Sequence, residues 1–298
     1  MPSAVRVGPD AWEWLTAADR SGRVGGRFRG GVNAVFGSEA HVSLQSPSLP
    51  VHPWALIADL PWEEVEEGAP VTASSGQLIV GQFVLPLTEA DVVDLAFHPP
   101  EHPVSPEELQ ARVDLIEQLL AETPDPFESN FDRAFVRDRD RILAEWQETG
   151  DPAVLLDLIG RGPGTTPASD DTLIGLLAGL EVLAAVAPAV GRPLLQATRH
   201  MLHAGGLPPT SLLSAQALSS AAAGAFPFGF LGLQRALANQ IAGAPGTLAA
   251  AERSLHTGHT TGRSAVVGLV SSLGMTDRAG TSPSTGTFPG AMGRRGER

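Results

Sequence analysis

Twelve consecutive residues hold the densest chemistry in the chain: Gly160-Arg161-Gly162-Pro163-Gly164-Thr165-Thr166-Pro167-Ala168-Ser169-Asp170-Asp171. Alternating glycines let the backbone take left-handed angles and turn successive N–H groups to one side, which makes an anion-binding nest. Arg161 adds a planar guanidinium fork suited to phosphate or carboxylate. Pro163 and Pro167 stiffen the loop, so less order is lost on binding. Ser169 or Asp170 is placed to N-cap the helix that follows, an apolar run from Thr172 to Val186. Asp170 and Asp171 bring two negative charges to a helix start that itself attracts anions. A site holding both the acids and an anion needs a divalent cation such as Mg²⁺ between them, or a ligand whose amide N–H groups face the carboxylates. A capped loop with nothing bound is the competing reading. Paired aspartates at the mouth of so apolar a helix favour the ligand site.

A second loop has the same grammar. His256-Thr257-Gly258-His259-Thr260-Thr261-Gly262-Arg263-Ser264 leads into the apolar helix 265–273. Here no acid occupies the helix start, so Gly258, Thr260, Thr261, Gly262 and Arg263 form the better anion pocket of the two. His259 is the acid–base candidate. Between the loops, Thr210 and Ser214 set further hydroxyls at a third helix start. We expect both loops to converge on one pocket in the C-terminal helical region. The anionic end of the ligand would face Gly258 to Arg263, and its amide or metal-bound end Asp170 and Asp171. His200 and His203 lie one turn apart on a helix and read as a polar edge, because no third metal ligand is in view.

Composition bounds the chemistry. The 298 residues carry a net charge of −13, which argues against nucleic acid or an anionic membrane as partner. All twenty strongly basic residues are arginine, so there is no lysine, and there is no cysteine. Lysine Schiff-base chemistry, a P-loop lysine, a thiol nucleophile and a cysteine metal site are thereby excluded. Absence of disulfides is compatible with a cytoplasmic location. The N-terminus lacks a signal-peptide core. Glu181 and Pro188 interrupt the longest apolar run, 173–190, so a buried helix explains it better than a membrane span.

The elements that must position these residues follow from pattern. The fold class expected is α+β, with a β-rich N-terminal domain over 1–97. Strands are predicted at 23–28 and 32–36 around Gly30-Gly31, then at 41–44, 54–58, 77–80 and 82–85. Residues 98–150 read as a linker, with His98 and His102 exposed among prolines, followed by two helices. The first is amphipathic over 106–122, with Leu109, Val113, Ile116 and Leu120 on one face. The second spans 127–149, with Arg133, Arg137, Arg139 and Arg141 on its outer side. Asp151-Pro152 caps a short helix that Gly160 ends, so the glycine loop joins two helices and does not follow a strand. The helical domain carrying both loops is 151–273, with helices to 187 and at 193–204, 210–223, 229–242, 247–256 and 264–273. Residues 274–298 have little to bury and read as a disordered tail.

These two loops resemble those of the AllH-type family. Its members carry a loop of the form Gly-Leu-Gly-Pro-Gly-Leu-Thr-Pro-Ser-Gly-Asp-Asp before an apolar helix, and later a Gly-His-Thr-Ser-Gly loop. Residues 160–171 and 258–262 match these in order and context. Arg161 and Thr165 stand where the family has leucine, Ala168-Ser169 replaces Ser-Gly, and Ser264 replaces a common aspartate; the aspartates and the glycine frame are kept. The resemblance implies a subunit of oxamate carbamoyltransferase, a three-subunit enzyme of allantoin and purine nitrogen breakdown. That enzyme interconverts oxalurate plus phosphate with oxamate plus carbamoyl phosphate. It further implies partners: an acyl-CoA-synthetase-like subunit and a third subunit. Asp170, Asp171 and His259 would then be catalytic. Arg161, Gly162, Gly164, Thr165, Thr166, Ser169, Thr210, Ser214, Gly258, Thr260, Thr261, Gly262 and Arg263 would bind substrate or phosphate. Two other readings compete: a non-catalytic ligand-binding or assembly subunit, and a metal-dependent phosphohydrolase using Asp170, Asp171 and His259.

Overall fold

Strand alternation and glycine turns build the N-terminal half. In a computed structural model of the chain, residues 4–124, 126–127, 130–204 and 208–279 are described. Strands β1 (Ala4–Val7), β2 (Arg20–Phe28), β3 (Gly31–Phe36), β4 (Ala40–Gln45), β5 (Ala55–Ala58), β6 (Pro70–Ser74), β7 (Gln77–Val80), β8 (Phe83–Pro86) and β9 (Asp91–Val92) form one curled sheet. Its order is β8-β7-β6-β2-β3-β4-β5-β1-β9. Neighbours pair antiparallel, except β4 with β5 and β1 with β9. The β2–β3 hairpin turns at Gly30-Gly31 as predicted, with Phe28 opposite Gly31. Gly81 separates two strands, β7 and β8. Pattern reading missed β1, β6, β9 and helix α1 (Pro9–Ala17). These are short or lie beside prolines, where a period of two has too few residues to register.

Two cores meet across β5. Leu56 and Ala58 face the inside of the curled sheet with Val24, Val42 and Leu78. Ala55 and Ile57 face the other way, into a core shared with the helices. Strand alternation places successive side chains on opposite faces, so one strand serves both cores.

The helical half follows from residue 106. Helix α2 (Pro106–Glu122) is capped by Ser105, which accepts from Glu108 N–H, and buries Leu109, Val113 and Ile116. Helix α3 (Asn130–Thr149) does not include Phe127, where its start was expected, and one of its arginines also departs from expectation. Arg133, Arg137 and Arg141 are exposed, but Arg139 is 6 % exposed, pairing with Asp140 and lying over the Phe135 ring. A long aliphatic stem lets a charged head reach a partner from a buried position. Asp151 caps a 3₁₀ turn, Pro152–Leu158. Helices α4 (Ala168–Val186), α5 (Pro188–His203), α6 (Leu212–Ala222), α7 (Phe228–Ala238), α8 (Gly243–Leu255) and α9 (Thr261–Leu273) complete the chain's core. Helix α5 begins five residues earlier than predicted: Pro188 takes its first position, and Pro193 lies inside. Gly274–Ala279, read as tail, forms a 3₁₀ turn in which Met275 is buried. The remainder of the expected tail lies outside the described residues.

Helix α4 is the centre of the helical core. Fifteen of its nineteen residues are buried, from Ala168 to Leu183. Among the described residues, no helix is long and apolar enough to cross a membrane. It packs most closely on α9. A methyl group placed on Gly175 would stand 1.8 Å from the Ala265 carbonyl oxygen, and one on Gly268 would stand 1.8 Å from that of Thr172. Backbone touches backbone at both points, which only glycine permits.

Sheet and helices are joined by polar contacts along α6. Gln216 accepts from His41 N–H at 2.9 Å and donates to the His41 carbonyl at 3.3 Å. One turn later Ser220 accepts from the Trp54 indole N–H at 3.1 Å and donates to Asp10. These two residues lie on one face of α6 at i, i+4 spacing.

Candidate functional site

The two glycine loops start the two helices that press together, so they lie side by side. Thr261, the first residue of α9, and Asp171, in the first turn of α4, line the same cavity. Thr166 approaches the Asp171 carboxyl, with Oγ1 3.5 Å from Oδ2. Both loops open on one cavity of about 540 Å³. Thr165, Thr166, Asp171 and Ile174 line it from the first loop and α4; Thr257, Gly258, Thr261 and Ala265 line it from the second loop and α9.

The cavity is not confined to the helical region, as was expected. Its opposite wall is the sheet and the segment after β4: Phe28, Asn33, Ser43, Gln45, Pro50, His52, Pro53 and Trp54. Leu213, Gln216 and Ala217 of α6 close one side, and Ala225, Pro227 and Phe230 another. A cleft between two packed layers is a common place for a small-molecule site.

Adjacent in sequence, Asp170 and Asp171 point apart. Asp170 is fully buried and faces back into its own loop: Oδ1 accepts from Gly160 N–H at 2.8 Å, and Oδ2 accepts from Thr210. Ser169 does the same work, accepting from Arg161 N–H at 3.0 Å and donating to the Arg161 carbonyl. Neither residue is the N-cap. Helix α4 starts earlier, at Ala168 after Pro167. The side chains of its first turn therefore fold backward to fix the glycine loop. Asp171 alone of the pair faces the cavity. Burial pushes its pKa up to about 7; the hydroxyls of Thr261 and Thr166 act against this, and the nearby Asp170 charge adds to it.

His52 is the second titratable group in the cavity wall. Surrounding protein strips it of water and pushes its pKa down to about 4, so it is neutral at physiological pH. Sequence reasoning missed it, together with Asn33, Ser43 and Gln45. No local motif marks these residues, which lie more than 100 positions before the loops; the available signal was inward-facing polar residues on β3 and β4.

Several predicted ligand residues are turned elsewhere. Arg263 donates to the carbonyl of Thr123 at 3.1 Å and of Leu120 at 3.0 Å. It caps the C-terminus of α2, where the helix carries partial negative charge and unpaired carbonyls. Its guanidinium is thus committed to the end of α2, and Arg263 is not among the residues that line the cavity. Arg161 is half-exposed, 4.0 Å from Asp157, and outside the cavity lining. His259 is exposed and also outside that lining. Thr210 is engaged with Asp170, Ser214 is buried, and Gly262 is buried against the Ser254 carbonyl. Thr260 precedes α9 without capping it through its side chain. Gly162 has φ 94° and sits against the Phe135 ring. His200 and His203 are exposed, as a polar edge would be. Among the described residues no group of three metal-ligating side chains is assembled.

Two outcomes are expected from this arrangement. Arg263→Ala removes both bonds at the end of α2 and is expected to lower stability by about 1.5–3 kcal/mol, as for bonds to a charged donor. Ligand affinity should be unchanged; a urea melt and a binding titration on the same protein would check both. Gly164 has φ 110°, and a methyl group there would meet the Thr166 carbonyl oxygen at 2.7 Å. Gly164→Ala is expected to cost about 1–3 kcal/mol of local strain. Relief of that strain would displace Thr165 and Thr166 from the cavity wall, so binding should suffer more than the melting temperature. A large loss of thermal stability with binding intact would show the reverse.

Comparison with known proteins agrees with the resemblance carried by the loops. Residues 158–273 match the model of the family described as oxamate carbamoyltransferase subunit AllH. The matched stretch includes both loops and every helix from α4 to α9. No curated protein and no solved structure gives a significant match.

Proposed function

We propose that the chain is a subunit of a carbamoyltransferase of the oxamate type, and that the cavity between sheet and helices is its small-molecule site. One observation carries this reading. The two loops inside the family-matched stretch, about ninety residues apart in sequence, open on one cavity that Asp171 and Thr261 line together.

The cavity suits a transfer that uses no covalent intermediate. Holding an amide group at a fixed place beside a proton-bearing carboxyl supplies positioning and charge stabilisation, the two largest sources of such catalysis. With a pKa near neutrality, Asp171 can donate a hydrogen bond in one form and accept one in the other. Asp170 acts through the loop, holding Gly160 and Thr210 in place. The reaction in view is the interconversion of oxalurate and phosphate with oxamate and carbamoyl phosphate, or the same transfer on a related amide. Partner chains complete the enzyme: an acyl-CoA-synthetase-like subunit and a third subunit.

Phosphate-dependent cleavage of oxalurate tests the reading, assayed with the chain alone and with the two partners added. Turnover is expected only in the mixture. Full turnover by the isolated 298-residue chain would refute the need for partners, and no turnover in the complete mixture would refute carbamoyl transfer.

A further inference from the structure

We propose that the cavity takes the uncharged, amide-bearing part of the substrate and that phosphate is held outside it. This rests on the reading of the cavity as the substrate site and adds a division of labour within it.

The charges around the cavity carry the first half of the argument. No arginine is among the described residues that line it, and the chain has no lysine. Arg263, the nearest cation in sequence, is spent on the carbonyls of Thr123 and Leu120. Among the described residues of the lining His52 is the remaining basic group, and its surroundings hold it neutral. Asp171 is the only ionisable acid among the described residues of the lining, and it repels an anion whenever it is ionised. Most of the wall is apolar: Phe28, Trp54, Ile174, Leu213, Phe230 and six further alanine and proline side chains. Taking a phosphate dianion out of water into such a wall, without a counter-charge, is strongly unfavourable.

Hydrogen-bond bookkeeping carries the second half. Asn33 spends its carbonyl oxygen on the Ser43 hydroxyl at 3.1 Å. Gln45 spends its amide nitrogen on the Pro50 carbonyl at 2.8 Å. Between them an N–H donor from Asn33 and a carbonyl acceptor from Gln45 are left over on the cavity side of the sheet. A donor and an acceptor offered together are what an amide or urea group pairs with; the ionised oxygens of a phosphate would set negative charge against the Gln45 carbonyl. Asp171 on the facing wall adds an acceptor, or a donor when protonated.

Matched ligands separate the two chemistries. Calorimetric titration of the isolated full chain would compare methylurea with methyl phosphate and phenylurea with phenyl phosphate, at pH 7 and physiological ionic strength. Each urea is expected to bind at least tenfold tighter than its phosphate partner. Inorganic phosphate at millimolar concentration should not compete. Ala217→Trp, which fills the cavity from α6, should abolish urea binding. If that variant does not fold, the ranking on the unaltered chain decides. A phosphate binding as tightly as its urea partner, or neither urea binding at all, would overturn the inference. Failed turnover in the reconstituted enzyme with the ranking intact would count against carbamoyl transfer alone.

Discussion

Gly175→Val is expected to unfold the protein or cost more than about 3 kcal/mol, above the usual range for overpacking. The reason is the contact between α4 and α9. Even the first carbon of a side chain at 175 would stand 1.8 Å from the Ala265 carbonyl oxygen and 2.5 Å from its carbon. A flexible side chain could swing away; backbone can yield only by moving the whole helix. Gly268 repeats the situation from the other side, against Thr172. Single domains hold about 5–15 kcal/mol in total, so one such change consumes much of it. Separation of the helices would also draw Thr261 from Asp171, and the cavity would lose the joint between its loops. Urea unfolding of Gly175→Val, Gly268→Ala and the double variant measures this. The two sites share one contact, so the double loss should fall short of the sum. Losses under about 1 kcal/mol at unchanged m-value would show that the helices are not pressed together as described.

Asp171→Asn should lower activity of the reconstituted enzyme on the order of a thousandfold, about 4 kcal/mol in the transition state. The same substitution should stabilise the fold, in a pH-dependent way. Burial raises the Asp171 pKa from an ordinary 3.8 to about 7. Below pH 4 the carboxyl is protonated in both folded and unfolded chains, and the group contributes no penalty. Between pH 4 and 7 the unfolded chain releases the proton while the folded one keeps it, so folding stability declines as pH rises. Above pH 7 both are ionised, and the full cost, a few kcal/mol, is present. Asparagine removes that cost. Its melting temperature should therefore exceed that of the unaltered chain at pH 8, and by much less at pH 5. A carboxyl kept at a stability cost is the mark of a functional group. An asparagine variant that is active, or less stable at pH 8, would assign Asp171 a structural part instead. The contrast is Asp170→Asn: its oxygens accept from Gly160 and Thr210, so loss of loop order and of stability should precede any effect on chemistry.

What was legible in the sequence is what depends on near neighbours. Hairpin β2–β3 was visible because Gly30-Gly31 sits between alternating apolar residues. Asp151 caps the turn that follows it through a bond two residues away, as its place before Pro152 implied. The glycine loop between the 3₁₀ turn and α4 was foreseen, since the backbone freedom of Gly160, Gly162 and Gly164 is a local property; all three take positive φ. The meeting of the two loops was also anticipated, from their shared grammar.

Tertiary packing alone decided where the side chains of those loops point. Asp170 and Asp171 are neighbours in sequence, yet 100° of helical turn sends one into the loop and the other into the cavity. Arg263 looked like a phosphate ligand until α2 ended beside it with carbonyls unpaired. The far wall of the cavity comes from β3, β4 and the segment carrying His52, far from the loops in the chain. The burial that moves Asp171 and His52 towards their neutral forms is likewise made by distant residues closing around them. Composition and spacing can name the groups able to do chemistry. Which of them share a cavity, and in what charge state, is set by contacts between residues a hundred or more positions apart, and those exist only once the sheet has closed onto the helices.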